Sequence, residues 1–495
     1  MRRRFSCSDW GVSLGLVLFL AGCAGAGREP VPRSDMAALA PADGWKAGGG
    51  GDGIRTGWIA DFGDPRLTAL VAEGLDRNPD VLEASARLEA ARAAAKRAGA
   101  ALFPALDLNG AGDRRIPFKG LPSASVGASL DISWELDLWG RIASAKRGAG
   151  QQWRASASEY ASARQSLAAQ IAKSWFLAVE AGSQLDLARD FVASYTRTLA
   201  IVQSRADMGT VTQEDHALAR ADLATSQQSM QAAETAGRES VRSLEILLGR
   251  YPAAELKVAD SLQAVPPPIP SGLPSEMLER RPDVVAAERQ VAAAFQFTQS
   301  AAAARLPRLG LTGSLGSVSN ALNSLTNPIN AATTLGAALF QPLFDAGLRQ
   351  SEFEEARAEQ KAAVARYRAV ALRAFQEVEN GLDRESSLTG QEEKITEAVR
   401  NYGQARKTAE IRYQQGADSL FEVLAVQRQE LQARTALIRL RGERLVQRTN
   451  LHLALGGDFL PADDSSLDGQ SPFRPVSQSH LQAMPRETPQ KSSQK

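Results

Sequence analysis

Two very long stretches with helical character dominate the chain. Neither 141–206 nor 348–415 contains a proline, and in the first stretch apolar residues recur at helical spacings. At about 1.5 Å per residue, each helix would reach roughly 100 Å, which no compact domain requires. A third segment has a large aliphatic residue at every seventh position: Leu424, Leu431, Ile438 and Leu445. This repeat is typical of a coiled-coil seam, so we expect the long helices to pack side by side.

Segments of alternating apolar and polar residues precede the long helices. Within 130–138 every second residue is apolar, and the residues between them are Asp, Ser or Glu. Weaker alternation occurs in three further segments, 106–108, 309–311 and 335–339. We therefore predict two strands within 105–138 and two within 308–344, each with one apolar face. Alternation alone leaves open whether that face packs in a soluble core or against lipid in a barrel.

The chain is a tandem duplication of one unit. The motif Leu-Asp-Arg-Asn-Pro-Asp-Val at 75–81 recurs as Leu-Glu-Arg-Arg-Pro-Asp-Val at 278–284. A Leu-Gly pair near the end of the first unit recurs at the end of the second. We predict a first repeat at 66–249, a linker with a stiff proline-rich stretch at 250–268, a second repeat at 269–456 and a polar, disordered tail at 457–495.

The N-terminus indicates export from the cytoplasm. A basic cluster at 2–4 precedes an apolar stretch at 11–20 that is too short to cross a bilayer as a helix. Leu20-Ala21-Gly22-Cys23 follows, and it resembles a bacterial lipobox. We predict a signal peptide at 1–22 and a lipidated segment at 23–65 that begins at Cys23. The alternative is an ordinary signal peptide with a chance cysteine.

The number of strands sets a constraint if they cross a membrane. The lipid anchor and the lack of a long apolar run after Cys23 favour a barrel over a soluble sandwich. Four strands cannot close a barrel, because known barrels begin at about eight, and an open sheet edge is not tolerated in lipid. Several chains must therefore share one barrel, with eight strands from two chains or twelve from three.

Composition argues against nucleic-acid binding and against catalysis. The chain carries 57 Lys and Arg against 56 Asp and Glu, a formal net charge of +1, whereas a nucleic-acid binder has a basic face. The 3 histidines have no acid–base or nucleophile pattern around them. We find no phosphate-binding loop, zinc spacing or serine elbow. No enzyme activity, cofactor or metal is expected.

The duplication, the lipobox and the run Trp134-Glu-Leu-Asp-Leu-Trp-Gly-Arg141 together resemble the outer membrane factor family, the TolC-like exit ducts. The resemblance covers about 58–460 and is closest to the lipidated branch that serves drug-efflux pumps. It implies an α+β membrane protein that forms a homotrimer. The trimer would have a shared twelve-stranded β-barrel in the membrane and a twelve-helix α-barrel across the periplasm.

The resemblance also implies a function. The protein would be the passive outer-membrane channel of a tripartite efflux pump, anchored in outer-membrane lipid. It would receive drugs or other small toxic compounds from a periplasmic adaptor and a proton-driven inner-membrane pump. Two alternatives remain open at this point: a duct of the same architecture that secretes whole proteins, and a structural coiled-coil lipoprotein of the envelope.

By family position, the resemblance places a periplasmic gate at the two turns that join the long helices. The turns for adaptor docking contain Gly209 and Thr210 in the first repeat, and Gly416 and Ala417 in the second. The residues assigned to the gate are Asp215, Tyr413, Glu422, Arg205, Arg412 and Asp418. Asp215 and Tyr413 would belong to the closing network, Glu422 would ring the narrowest point, and both arginines are candidate partners for the acids. Asp418 stands where the family can carry a basic residue.

Replacement of the lipobox cysteine tests the predicted anchor. We expect Cys23→Ser to abolish metabolic labelling of the protein with a radioactive fatty acid, because no other residue of a lipobox accepts the lipid. Cys7→Ser is the matched control and should label as the wild type does, because Cys7 leaves with the signal peptide. Persistent acyl labelling of Cys23→Ser would refute the lipobox.

Overall fold

The computed structural model describes residues 44–48, 56–119, 121–272 and 274–459. The first repeat contains α1 (Trp58–Asp61), α2 (Pro65–Arg77), α3 (Pro79–Ala100), β1 (Ala105–Arg115), β2 (Ser123–Leu136), α4 (Arg141–Asp207) and α5 (Gln213–Leu247). The second contains α6 (Pro274–Arg280), α7 (Pro282–Ala303), β3 (Arg308–Ser319), β4 (Ala331–Phe340), α8 (Leu348–Gln414) and α9 (Leu420–Ala454). Two 3₁₀ turns, Leu322–Ser324 and Pro328–Asn330, connect β3 to β4.

Each repeat contributes one hairpin of long helices. The helices α4 and α8 have 67 residues each, and α5 and α9 have 35 each. We call α4 with α5 the first hairpin and α8 with α9 the second hairpin. The shorter α3 and α7 pack against α4, and α7 also packs against α8. The same order of elements, a short helix, a pair of strands and a long helical hairpin, therefore occurs in both repeats.

The four strands form one antiparallel sheet in the order β1-β2-β3-β4. The register places the large apolar residues on one face: Leu106, Leu108, Leu130, Ile132, Trp134, Leu311, Leu315 and Leu335. The opposite face is polar and includes the pairs Asp107 with Asp131 and Asn109 with Ser129. Apolar side chains such as Leu108, with an exposed fraction of 81%, have no core to cover them within one chain.

The sheet has two open edges in the described part of the chain. β1 pairs only with β2, and β4 pairs only with β3. The outer backbone groups of both edge strands therefore lack ladder partners within the chain. Unpaired strand edges are costly in water-free surroundings, so this sheet needs a partner strand on each side if its apolar face contacts lipid.

Two apolar cores surround the base of the hairpins, one for each repeat. The first core joins α1, α2, α4 and the end of α5, and its largest buried side chains are Trp58, Trp175 and Phe176. The second core joins α6, α7, α8 and the end of α9 around Tyr367 and Met277. The duplication of sequence is therefore also a duplication of core.

The short helices begin differently in the two repeats, although both begin with proline. In the first repeat the side chain of Asn78 accepts hydrogen bonds from the backbone N–H groups of Asp80 and Val81 and caps α3. In the second repeat Arg281 occupies the equivalent position and makes no side-chain cap. Its guanidinium instead contacts the carboxylates of Asp283 and Glu377, at 2.7 and 2.6 Å, and this ties α7 to α8.

Segments outside the predicted repeats are part of the two cores. Trp45 lies in the second core, and its indole N–H donates to the carbonyl oxygen of Ser271 at 3.1 Å. Trp58, which precedes the predicted start of the first repeat, is 1% exposed in the first core. Phe459 is 7% exposed in the same core. The predicted tail therefore begins too early at 457, because Asp458 and Phe459 are packed; residues 460–495 lie outside the described part.

The proline-rich linker is packed against the first core and α9. Leu256, Val258, Leu262 and Val265 line the first core. Arg448 on α9 is 2% exposed and donates to the carbonyl oxygens of Pro266 and Pro267, while it also binds the carboxylate of Glu385. The linker is therefore a packed part of the structure as well as a spacer, because the buried guanidinium of Arg448 binds its backbone carbonyl groups. The predicted signal peptide and Cys23 lie outside the described residues.

A buried histidine makes the stability of the first core dependent on pH. His452 stacks on Trp58 with ring centroids 5.4 Å apart, and burial lowers the pKa of its imidazole from 6.5 to about 3. The folded state therefore binds fewer protons than the unfolded state, so this contribution is fully present above pH 6.5 and is lost as pH falls toward the folded pKa. Between pH 6.5 and pH 5 the loss is about 2 kcal/mol per copy.

We expect His452→Phe to flatten this dependence, because phenylalanine keeps the aromatic stack and carries no titrating group. The melting temperature of the detergent-solubilised protein should fall less between pH 7.5 and pH 5 in the variant than in the wild type. His216→Phe is the control, since His216 is half-buried at the opposite end of the hairpins. An equal fall in both variants would contradict the assignment.

Candidate functional site

The two hairpins end in turns of the same construction. Gly209 and Gly416 adopt left-handed backbone conformations, with φ of 71° and 78°. The backbone N–H of Thr210 donates a hydrogen bond to the carbonyl oxygen of Arg205 at 3.0 Å. The backbone N–H of Ala417 donates to the carbonyl oxygen of Arg412 at 2.9 Å. Glycine is favoured at both positions because side chains rarely adopt this conformation. We call the two turns, 208–212 and 415–419, the hairpin tips.

Both helices that leave the tips begin with a capping box. Thr212 caps α5 and exchanges hydrogen bonds with Asp215, and Ser419 caps α9 in the same way with Glu422. The carboxylate of Asp215 accepts from the backbone N–H and the hydroxyl of Thr212, at 3.1 and 2.8 Å. Within one chain, two of the three acids predicted for the gate, Asp215 and Glu422, are therefore engaged in starting a helix.

Tyr413 and Arg205 join the two tips. The Arg205 guanidinium lies 4.5 Å from the centroid of the Tyr413 ring, and it donates to the carbonyl oxygen of Gln414 at 2.9 Å. Tyr413 is 5% exposed, and its hydroxyl has no hydrogen-bond partner among the described residues. A cation over an aromatic face is worth about 0.5–1 kcal/mol at a partly exposed site, and the hydrogen bond to Gln414 adds a second polar link between the two hairpins.

The structure brings together only part of the predicted set. Arg205 was predicted as a candidate partner for the gate acids. Within one chain its guanidinium contacts the Tyr413 ring and the carbonyl oxygen of Gln414, and a contact with an acid of another copy stays a prediction. Arg412 is exposed, and its backbone carbonyl oxygen accepts the hydrogen bond from Ala417 that closes the second tip. Asp418 is half-buried in that tip. Gly209, Thr210, Gly416 and Ala417 are exposed at the tip surface.

A polar network lies next to the tips, on the side toward the cores, and the sequence analysis did not predict it. On α8, Arg406 binds the carboxylates of Glu410 and Glu430, at 2.6 and 2.5 Å. Glu430 has a side chain only 7% exposed. Gln427 on α9 donates to Glu410 and to the Thr198 hydroxyl of α4, both at 3.3 Å. The sequence does not indicate this network, because Arg406 with Glu430 and Gln427 with Thr198 and Glu410 are pairs between different helices.

The Trp-rich run forms the junction between the sheet and α4. Glu135 binds Arg141 at 2.9 Å, and the carboxylate of Asp137 accepts from the backbone N–H groups of Ile142 and Ala143. Trp139 donates its indole N–H to Pro307, across the two repeats, at 2.6 Å. Trp134 donates to the carbonyl oxygen of Leu102. The motif therefore fixes where a strand ends and a long helix begins.

In the described part of the chain, no group of three or more His, Cys, Asp or Glu residues is placed to hold a metal ion. Among the helices described, none has the length and apolar character needed to cross a membrane.

An edge-open sheet with one apolar face, continuous with very long helical hairpins, defines a class of protein: one subunit of a membrane-embedded duct. The chain belongs to the outer membrane efflux protein family, which it matches twice, over residues 70–250 and 273–457. It is an outer-membrane efflux channel and not an enzyme. The predicted family, fold class and channel function are confirmed.

Curated relatives cover nearly the whole chain. The pyoverdine export outer membrane protein OpmQ of Pseudomonas aeruginosa is 33% identical over 469 residues, which are 89% of this chain and 95% of the relative. The toluene efflux pump outer membrane protein TtgI of Pseudomonas putida is 31% identical over 407 residues, 80% of this chain and 86% of the relative.

Solved structures share the fold. The outer-membrane channel OprN superimposes with a TM-score of 0.79 at 26% identity and covers 85% of this chain and 98% of its own. The CusC channel gives a TM-score of 0.74 at 26% identity, with 85% of this chain and 99% of its own covered.

The link between the tips can be tested in planar bilayers. We expect Arg205→Ala to raise the open probability of the purified channel about ten-fold, because it removes a contact worth on the order of 1–2 kcal/mol. The matched control is Arg189→Ala, which removes an exposed ion pair with Asp186 inside α4. Equal open probability in the two variants would show that Arg205 does not hold the tips.

Proposed function

We propose that three copies of this protein form the passive exit duct of a tripartite efflux pump for small toxic compounds. The observation that carries the proposal is the four-stranded sheet with two open edges and one exposed apolar face. Edge pairing between copies satisfies the backbone of β1 and β4, and it turns the apolar faces to lipid and the polar faces to the lumen. Three copies supply twelve strands.

The long hairpins support the periplasmic half of the proposal. A helix of 67 residues is about 100 Å long, and each copy contributes two such helices with a shorter one beside each. A helical wall of this length suits the space between two membranes. The duct performs no chemistry. An inner-membrane pump supplies the energy, and the family resemblance indicates that this pump is proton-driven. A periplasmic adaptor docks at the tip residues Gly209, Thr210, Gly416 and Ala417.

We place the gate at the hairpin tips. Arg205 and Tyr413 tie the tips of one copy together, and Asp215, Arg412, Asp418 and Glu422 surround them. Three copies would bring three Glu422 carboxylates around the axis, which favours cations over anions. The lipid anchor at Cys23 completes the assignment, because several acyl chains hold a protein firmly on a membrane.

The names of the relatives favour small cargo over whole proteins. They describe export of pyoverdine, of toluene and other solvents, and of cations. These cargoes differ widely in charge and polarity although the ducts belong to one family, which supports selection by the pump rather than by the duct. We therefore assign selection to the pump. The second candidate, a protein secretion duct, has no observation of this kind in its favour.

Deletion of the gene tests the proposal. We expect the deletion strain to become several-fold more susceptible to a group of dyes, solvents, antibiotics or metal ions, and the wild-type gene to restore resistance. A plasmid carrying the unrelated gene of a passive porin is the control for general changes in permeability. Unchanged susceptibility, with a protein missing from the culture medium, would favour secretion instead.

A further inference from the structure

The apolar face of the four-stranded sheet has a single charged residue. On β1 the residues of this face run from Leu106 to Arg114 in steps of two. The residues of β2, β3 and β4 that share the face are all apolar, Gly, Ser or Thr, so Arg114 is the one charged side chain on this face of the four strands. Its neighbours Asp113 and Arg115 lie on the polar face, because side chains alternate along a strand.

Arg114 lies at the end of the sheet that is farthest from the helices. β1 follows α3 and β2 leads into α4, so the connections to both helices are at the opposite end. Trp134 lies at that opposite end, because Ala105, the first residue of β1, pairs with Ser133, the residue before Trp134. Arg114 is therefore ten residues farther along β1 than the level of Trp134. With about 3.3 Å per residue and a strand tilt of about 40°, their heights differ by about 25 Å.

This distance equals the height of the apolar band of a membrane barrel, which is about 25 Å. An arginine on the lipid face is costly at the middle of a bilayer, and the cost nearly disappears at its surface. Trp134 at one boundary suits the girdle of aromatic residues that such barrels have. Arg114 would then lie at the other boundary, at the level of the lipid headgroups on the outer side.

The surroundings of Arg114 leave its guanidinium accessible. The preceding residue on the same face of β1 is Gly112, and the residue that pairs with Arg114 on β2 is Ala124. Neither has a side chain long enough to cover the guanidinium, and Arg114 is exposed. A headgroup can therefore approach Arg114 from the lipid side without displacing a side chain.

The loop that joins β1 to β2 combines positive charge with exposed apolar side chains. The segment 113–122 has three basic residues and one acid, a net charge of +2, whereas the segment 320–330 between β3 and β4 has no charged residue. Apolar side chains at the surface of a bilayer can lie between the lipids, and basic ones are attracted to anionic headgroups. The large exposed apolar residues of the loop are Ile116, Phe118 and Leu121.

The outer leaflet of a bacterial outer membrane supplies an anion at this height. It consists mainly of lipopolysaccharide, and the lipid A part carries phosphate groups where its acyl chains meet its sugars. A guanidinium suits this group, because its planar fork can donate two parallel hydrogen bonds to phosphate oxygens. The charge and the height of Arg114 therefore both match a lipid A phosphate.

We propose that Arg114 binds a phosphate group of lipid A, at one site per copy on the lipid side of β1, with the β1–β2 loop lying among the headgroups. This inference rests on the proposed function, because it takes the apolar face of the sheet to contact lipid. Arg115 has no part in the site, since it faces the lumen. A trimer would carry three such sites around the exit of the duct.

Native mass spectrometry of the full-length protein tests the site, because it counts both the copies in a particle and the lipids bound to it. The protein in detergent is titrated with lipid A, with lipid A from which the phosphates have been removed, and with phosphatidylglycerol. We expect up to three lipid A molecules per trimer. Dephosphorylated lipid A should bind about ten-fold more weakly, and phosphatidylglycerol several-fold more weakly, because it offers fewer acyl chains to the loop.

Two substitutions of neighbouring arginines separate the site from the general charge of the loop. Arg114→Gln should weaken the binding of lipid A about ten-fold, and removal of the phosphates should then make no further difference. Arg115→Gln is the matched control, because it removes the same charge from the next residue on the opposite face, and it should bind as the wild type does. Arg114→Lys keeps the charge and should bind within a few-fold of the wild type.

The outcomes that contradict the inference differ from those that contradict the duct. Equal weakening by Arg114→Gln and Arg115→Gln would show attraction to the whole loop and would overturn the site. Equal binding of lipid A with and without phosphates, or of phosphatidylglycerol and lipid A, would also overturn it. A trimer with any of these results leaves the proposed function intact, whereas particles of a single copy that are folded and bilayer-inserted would overturn the shared barrel itself.

Discussion

The unpaired edges of a four-stranded sheet are the constraint on which the rest of the structure depends. Each outer strand has a row of backbone groups that no other described part of the chain satisfies, and one face of the sheet has large exposed apolar residues. The open edges are costly in lipid, and the exposed apolar face is costly in water. Assembly of copies around a common axis removes both costs together, so the subunit is built to be incomplete.

The junction between the sheet and the helices sets the position of the hairpins relative to the sheet. Glu135, Asp137 and Arg141 fix the angle at which β2 becomes α4, and Trp139 ties that junction to the other repeat. The two cores and the packed linker then hold both hairpins at their upper ends. Below these anchors the hairpins are joined by few directional contacts. The two larger apolar cores therefore lie where the hairpins begin, while the end assigned to the gate is joined by a smaller apolar cluster and a few polar contacts.

The duplication explains what the two halves share and where they differ. Both halves have a proline-started helix, a strand pair, a long hairpin, a glycine at the tip and a capping box. They differ in a few side chains. Arg281 replaces the cap residue Asn78 and reaches α8 within the second half, and Arg205 of the first half meets Tyr413 of the second. A repeated unit thus became an asymmetric pair through a few side chains.

The sequence by itself determined the fold class, because its signals are local. A period of two in 130–138, proline-free stretches and glycines at the tips each act within a few residues, and an internal repeat needs no structure to be seen. Tertiary structure alone decided which side chains meet across helices. Arg205 and Tyr413 are separated by 208 positions, so their contact has no local signal. The same holds for Arg406 with Glu430 and for Thr198 with Gln427. The packing of Trp45, Trp58 and Phe459 was equally hidden, because a lone aromatic residue in a polar segment has no periodicity from which to predict a core position.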